Sequence, residues 1–166
     1  MRCLLLLNTF SKDNFNIYTS SEDYDQVCQN IINQSSYYDI CILSNDEHDK
    51  TDKEFQYIPY HGIKNSLSYM RNFDFEEQLK INYFLYWPKT TLSPFSNLHY
   101  KELFLHYKID EITVGGFYGC IDIIPTCLDL IDMKQSVITN ESIIGDYTVE
   151  YKQQCISLLK NYNICK

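Results

Sequence analysis

Three short runs, Cys3–Leu7 and Ile40–Leu43 wholly apolar and Ile112–Val114 with Thr113 as its one polar member, constrain this chain more than any other feature. A strand with one wet face alternates apolar and polar residues, whereas a run without a polar member has both faces covered. Between the runs lie segments of helical spacing. Val27, Cys28, Ile31 and Ile32 mark a helix over 22–33, and Leu98, Leu103 and Phe104 mark one over 97–108. Further helices are expected over 121–133 and 149–161. An aromatic strand over 82–87 is stopped by Pro88, and another strand is expected over 136–139. Strands that alternate with helices predict a three-layer α/β/α architecture around a mostly parallel central sheet. There is no internal repeat, low-complexity tract or Pro/Gly linker, so residues 1–166 are expected to form a single domain.

In open parallel sheets, ligands gather beyond the carboxyl ends of the strands. That topology singles out Asn8, then Asp46 and His48, then Lys89, then the segment 116–122. Composition narrows the partners. A net charge of -8 and a pI near 4.9 leave no basic stripe to neutralise phosphates, which argues against a nucleic-acid partner. The apolar start is too short for a secretory leader and runs directly into Asn8, Ser11 and Lys12. No stretch has the length of a membrane span, so a cytoplasmic protein is expected. The seven cysteines include no Cys-x-x-Cys pair. Cys3, Cys28, Cys41, Cys127 and Cys155 fall on apolar faces, as buried reduced thiols do.

Asp46 and His48, followed by His61, offer one carboxylate and two imidazoles in and after the loop behind the second strand. Such oxygen and nitrogen donors hold zinc, manganese or iron with positions left open for water or substrate. Alternate residues of an extended segment point to one side, so Asp46 and His48 can share an ion while His61 folds back. The competing interpretation is a solvated polar loop, because Glu47, Asp49, Lys50, Asp52, Lys53 and Glu54 surround the pair. His99 and His106 are assigned to surface or packing roles.

The segment GGFYGCIDIIPTCLDL, residues 115–130, resembles the strand-turn-helix of isochorismatase-like cysteine hydrolases that presents the nucleophile at a helix start. Other pieces resemble the same family in the same order. LLLNTF (5–10) is similar to the first strand and its catalytic aspartate, and ILSNDEH (42–48) with PYHG (59–62) to the nicotinamidase metal motif. WPKTTLSPFSN (87–97) is similar to the segment with the catalytic lysine. The resemblance implies an isochorismatase-like, Rossmann-like fold and catalytic positions Asn8, Lys89 and Asp122. It implies metal ligands Asp46, His48 and His61, and backbone N–H groups at the helix start that serve as an oxyanion hole. Two of the three catalytic positions depart from the pattern: Asn8 stands for an aspartate and Asp122 for the cysteine, with Thr126 in register four residues later. Cys120 lies two residues early.

An amide cannot take a proton as the aspartate does, and a carboxylate is a poorer nucleophile towards an amide than a thiolate. Two functions therefore stand open. One is a divergent isochorismatase/nicotinamidase-like hydrolase acting on a small amide or related planar substrate, with impaired or altered chemistry. The other is a non-catalytic member that binds a small molecule or a protein partner. Phe10, Trp87, Tyr118 and Cys120 are the candidate lining of the substrate pocket; Phe15 and Phe95 are further aromatics of the same kind. By analogy with the family, a homo-oligomer, dimer or tetramer, is the expected assembly, and the 15 tyrosines permit an aromatic interface.

Overall fold

The computed structural model describes residues 1–10, 21–56 and 71–166. Five strands form one sheet: β1 (Arg2–Leu7), β2 (Ile40–Ser44), β3 (Tyr83–Tyr86), β4 (Glu111–Gly116) and β5 (Val137–Ile138). Their order is β3-β2-β1-β4-β5, and every pairing is parallel. The apolar runs occupy the three central strands, which are buried from the second residue of β1, throughout β2, and from the second residue of β4. Edge strand β3 is wetter, with Tyr83 71% exposed.

Alternation along the strands divides the core. Cys3, Leu5, Leu7, Ile40 and Ile42 face one cluster, completed by α3 (Leu98–His106), α4 (Ile124–Asp132) and α5 (Val149–Asn161) through Phe104, Cys127, Leu130, Cys155 and Leu159. Leu4, Leu6, Cys41 and Leu43 face the other, closed by α1 (Ser21–Ser35) and α2 (Phe73–Gln78) through Tyr24, Val27, Ile31 and Phe75. This is the three-layer arrangement expected of runs buried on both faces. No helix among the described residues is long and apolar enough to cross a membrane.

Helix α2 was not apparent in the sequence. It has only six residues and owes its start to Asn72, whose side chain accepts from the Phe75 N–H. The helix expected over 121–133 also begins differently. Residues Gly119–Ile123 form a π turn, and the α-helix starts only at Ile124, with Pro125 in its first turn. Proline has no N–H to give to a preceding turn and favours a helix start.

The chain reverses its direction of strand addition between β1 and β4, which opens the crevice in which ligands of such sheets sit. Close approach of these two strand ends depends on Gly116. Its φ is +111°, and a Cβ there would lie 2.1 Å from the Leu7 carbonyl oxygen. Gly116→Ala is expected to cost more than about 2 kcal/mol, since both the dihedral and the space exclude a side chain. Urea unfolding of the variant beside the parent checks this.

Candidate functional site: a buried lysine between two aspartates

Each candidate residue follows a different strand. Asn8 ends β1, and Asp46 follows β2. Lys89 follows β3 and is carried alongside Asp46 because β2–β3 pairing continues past both strands: the Lys89 N–H donates to the Asn45 carbonyl at 3.0 Å, and the Glu47 N–H to the Lys89 carbonyl at 2.7 Å. Asp122 follows β4 on the π turn. All four side chains are buried, Lys89 at 3% exposure and Asp122 at 1%.

Lys89 Nζ donates to Asp122 Oδ1 at 2.8 Å and also to Asp46 Oδ1. Asn8 Nδ2 donates to Asp122 Oδ2 at 2.8 Å, so both oxygens of that carboxylate hold a donor. The Asn8 amide is itself oriented, because its Oδ1 accepts the Asp46 N–H at 2.8 Å. Burial alone disfavours the Lys89 ammonium, but the facing Asp122 and Asp46 carboxylates outweigh it and hold its pKa above the ordinary lysine value. Asn8 adopts the left-handed region, φ 54°, which asparagine tolerates better than most residues. Thus the structure brings Asn8, Lys89 and Asp122 together, with Asp46 as a fourth member.

The turn that presents Asp122 is closed upon itself. Tyr118, also left-handed at φ 63°, turns its carbonyl inward to receive the N–H groups of Ile121, Asp122 and Ile123 at 3.1, 2.8 and 3.4 Å. The Gly119 N–H donates to the Gly145 carbonyl at 3.2 Å, that of Cys120 to Asp146 Oδ2 at 2.9 Å, and that of Ile124 to the Gly119 carbonyl. The backbone donors expected to form an oxyanion hole are therefore engaged within the protein. A buried N–H needs an acceptor, and here each has found one.

Asp46 and His48 also converge, with His48 Nε2 3.6 Å from Asp46 Oδ1. His48 Nδ1 lies 3.0 Å from Asp52 Oδ2, a contact that orients the ring as second carboxylates orient metal-binding imidazoles. Asp52 was not singled out in the sequence; its place four residues after His48 was the available signal. His61 lies outside the described residues, and among those described no group of three His, Cys, Asp or Glu side chains could hold a metal. The donor chemistry of the Asp46–His48 pair nevertheless fits a divalent cation. The buried set Lys89, Asp46 and Asp122 carries two carboxylates against one ammonium, an excess negative charge that such a cation offsets.

The candidate pocket residues separate. Phe10 joins the α1-side cluster, whereas Trp87 lies in the other core cluster, stacked on Tyr100 at 5.1 Å. Tyr118 is buried and stacks on Tyr147 at 4.7 Å. Cys120 is half-buried, with Sγ 3.2 Å from the Tyr151 carbonyl, and burial with nearby Asp146 pushes its thiol pKa up to about 11. That environment suppresses the thiolate a nucleophile requires. His99 and His106 are exposed. Asp146, absent from the sequence analysis, is buried and braces the turn through the Cys120 N–H; burial raises its pKa.

With this geometry in place, solved structures give the comparison. An isochorismatase-like hydrolase from Alkaliphilus metalliredigens superimposes with a TM-score of 0.74 at 15% identity, over 99% of this chain and 93% of the other. The fold is that of the isochorismatase-like hydrolases. Nicotinamidase from Bacillus subtilis gives 0.75 at 20% identity, covering 97% and 95%. A pyrazinamidase of Pyrococcus horikoshii, solved in complex with zinc, gives 0.71 at 12% identity, covering 99% and 97%. Neither a protein-family model nor a curated protein matches the sequence.

The buried triad gives a direct prediction. Lys89→Met leaves Asp46 and Asp122 facing each other without a cation, and is expected to destabilise the protein by about 3–5 kcal/mol. Chemical denaturation at pH 7 reads the loss.

Proposed function

We propose that this chain is a divergent isochorismatase/nicotinamidase-like hydrolase in which acyl transfer through residue 122 is impaired, so that its pocket retains binding of a small amide or related planar molecule. The observation that carries this reading is the state of Asp122. Its two oxygens are engaged by Lys89 and Asn8, and the N–H groups around it are spent on protein acceptors. Attack on a carbonyl needs an unencumbered nucleophile and donors aimed at the developing oxyanion. Asn8 supplies no base. The resemblance to amide hydrolases of this fold supports the ligand class, and the seven free cysteines accord with a reducing cytoplasm. A homo-oligomeric state, dimer or tetramer, is part of the same proposal by analogy.

A second reading, altered but surviving hydrolysis, draws on the Asp46–His48 pair with its Asp52 support. Asp46 and His48, with His61 as third donor, would hold zinc, manganese or iron. Such an ion supplies Lewis acidity and lowers the pKa of water when bound. In that reading Lys89 keeps the Asp46 carboxylate in place and Asp122 retains the ammonium.

Two measurements separate these readings. Ammonia release from nicotinamide and pyrazinamide should be indistinguishable between the wild-type protein and Lys89→Ala; release that Lys89→Ala abolishes would establish the hydrolase. The metal content of the native protein should be near one equivalent and fall to background in His48→Ala. Background metal in both, after loading, would leave that pair as scaffold only.

A further inference from the structure

The carboxyl ends of β1 and β2 are joined by a reciprocal clasp of two asparagines. Asn8 Oδ1 accepts the Asp46 N–H at 2.8 Å, and Asn45 Oδ1 accepts the Thr9 N–H at 3.0 Å. Because a backbone N–H can only donate, each contact fixes which end of the amide is oxygen and leaves the NH₂ group aimed elsewhere. For Asn8 that group finds Asp122 Oδ2. For Asn45 it finds nothing: Nδ2 is buried without a hydrogen-bond partner, and so is Thr9 Oγ1 beside it. Both residues are completely buried.

An oriented buried donor without an acceptor costs free energy that the chain could avoid with an apolar residue of similar shape. Here the two orphans occur on the adjacent carboxyl ends of β1 and β2, one residue from Asn8 and one from Asp46, at the end of the sheet beyond which ligands of this topology sit. The next residue, Phe10, opens the aromatic cluster with Tyr24 and Phe117, which stack at 4.9 Å. We infer that Asn45 Nδ2 and Thr9 Oγ1 are a specificity-determining donor pair that receives an acceptor oxygen, a carbonyl or carboxylate, of the small planar ligand. The assignment rests on the pocket reading above and adds to it the group by which the ligand is recognised. Asn45 donates and cannot accept at Nδ2, so the pair selects an acceptor oxygen; the Thr9 hydroxyl supplies a second donor.

Calorimetric titration of the full-length protein with nicotinamide and with nicotinate tests the pair, using Thr9→Val and Asn45→Asp. Valine matches threonine in shape, and aspartate keeps the oxygen that holds the Thr9 N–H while replacing the donor by an acceptor. The expected result is that Thr9→Val keeps or raises Tm yet weakens binding about tenfold, the loss of one hydrogen bond. Asn45→Asp should weaken nicotinate binding more than nicotinamide binding, because it sets two carboxylates together. Wild-type affinity in both variants would overturn the donor pair and leave the pocket reading standing. No binding of either probe by the wild-type protein would overturn both. A fall in Tm for Thr9→Val would show that the hydroxyl serves the protein itself, as through a structural water only, and would also overturn the assignment.

Discussion

The site is organised by one buried cation. Lys89 stands between Asp46 and Asp122, and its ammonium offsets the cost of burying both carboxylates. The triad draws together the chain segments after β2, β3 and β4, which are far apart in sequence. Asn8 then adds β1 by bridging Asp122 to the Asp46 backbone. Four strand ends are therefore joined through three ionised side chains and one amide. Little of this is interchangeable, since Lys89 donates to both carboxylates and Asn8 is held at both ends of its amide.

The same connections explain why Asn8 and Asp122 occur together. A carboxylate at position 8 would face Asp122 Oδ2 across 2.8 Å, a like-charge contact in a site that already carries excess negative charge. An amide there donates instead. Beside the pattern that the chain resembles, with aspartate at the first position and a thiol at the second, the acid has moved from one side of the crevice to the other while the number of acids is unchanged. Such a paired exchange keeps the electrostatic balance around Lys89. On the reading proposed above, it is this exchange that impairs acyl transfer through residue 122 while the charge pattern around Lys89 persists.

Much of the architecture could be read from the sequence because burial on both faces leaves a direct mark. Cys3–Leu7 and Ile40–Leu43 contain no polar residue, Ile112–Val114 has only Thr113, and they are the central strands. The expected helix over 149–161 matches α5. Strand ends alone single out Asn8, Asp46, Lys89 and the segment 116–122; within that segment the family resemblance points to Asp122. What the sequence hid were features set by single hydrogen bonds. Helix α2 rests on one cap, and the π turn rests on the Tyr118 carbonyl and Pro125. The placement of Phe10 and Trp87 on opposite sides of the sheet was hidden for a different reason. Residue type identified both as aromatic, but only strand position decides which side of the sheet each aromatic joins.

A turn that presents a reactive group must hold its backbone donors ready for charge that appears only during reaction, which leaves them unsatisfied in the resting protein. In this chain Tyr118 accepts a strained left-handed backbone, and its carbonyl takes up those donors. Gly119 is held so close to α5 that a Cβ would lie 2.8 Å from Cys155 Sγ and 2.9 Å from Asp146 Oδ2. The strain and the close packing serve to satisfy the turn, whose N–H groups from Gly119 to Ile124 all have acceptors within the protein. Among the described residues, buried side-chain donors without a partner stand at Asn45 and Thr9 on the β1–β2 clasp, and at the Thr126 hydroxyl one turn after Asp122. Under the proposed reading, the spare capacity at Asn45 and Thr9 is where a ligand's oxygen is held, apart from the engaged N–H groups beside residue 122.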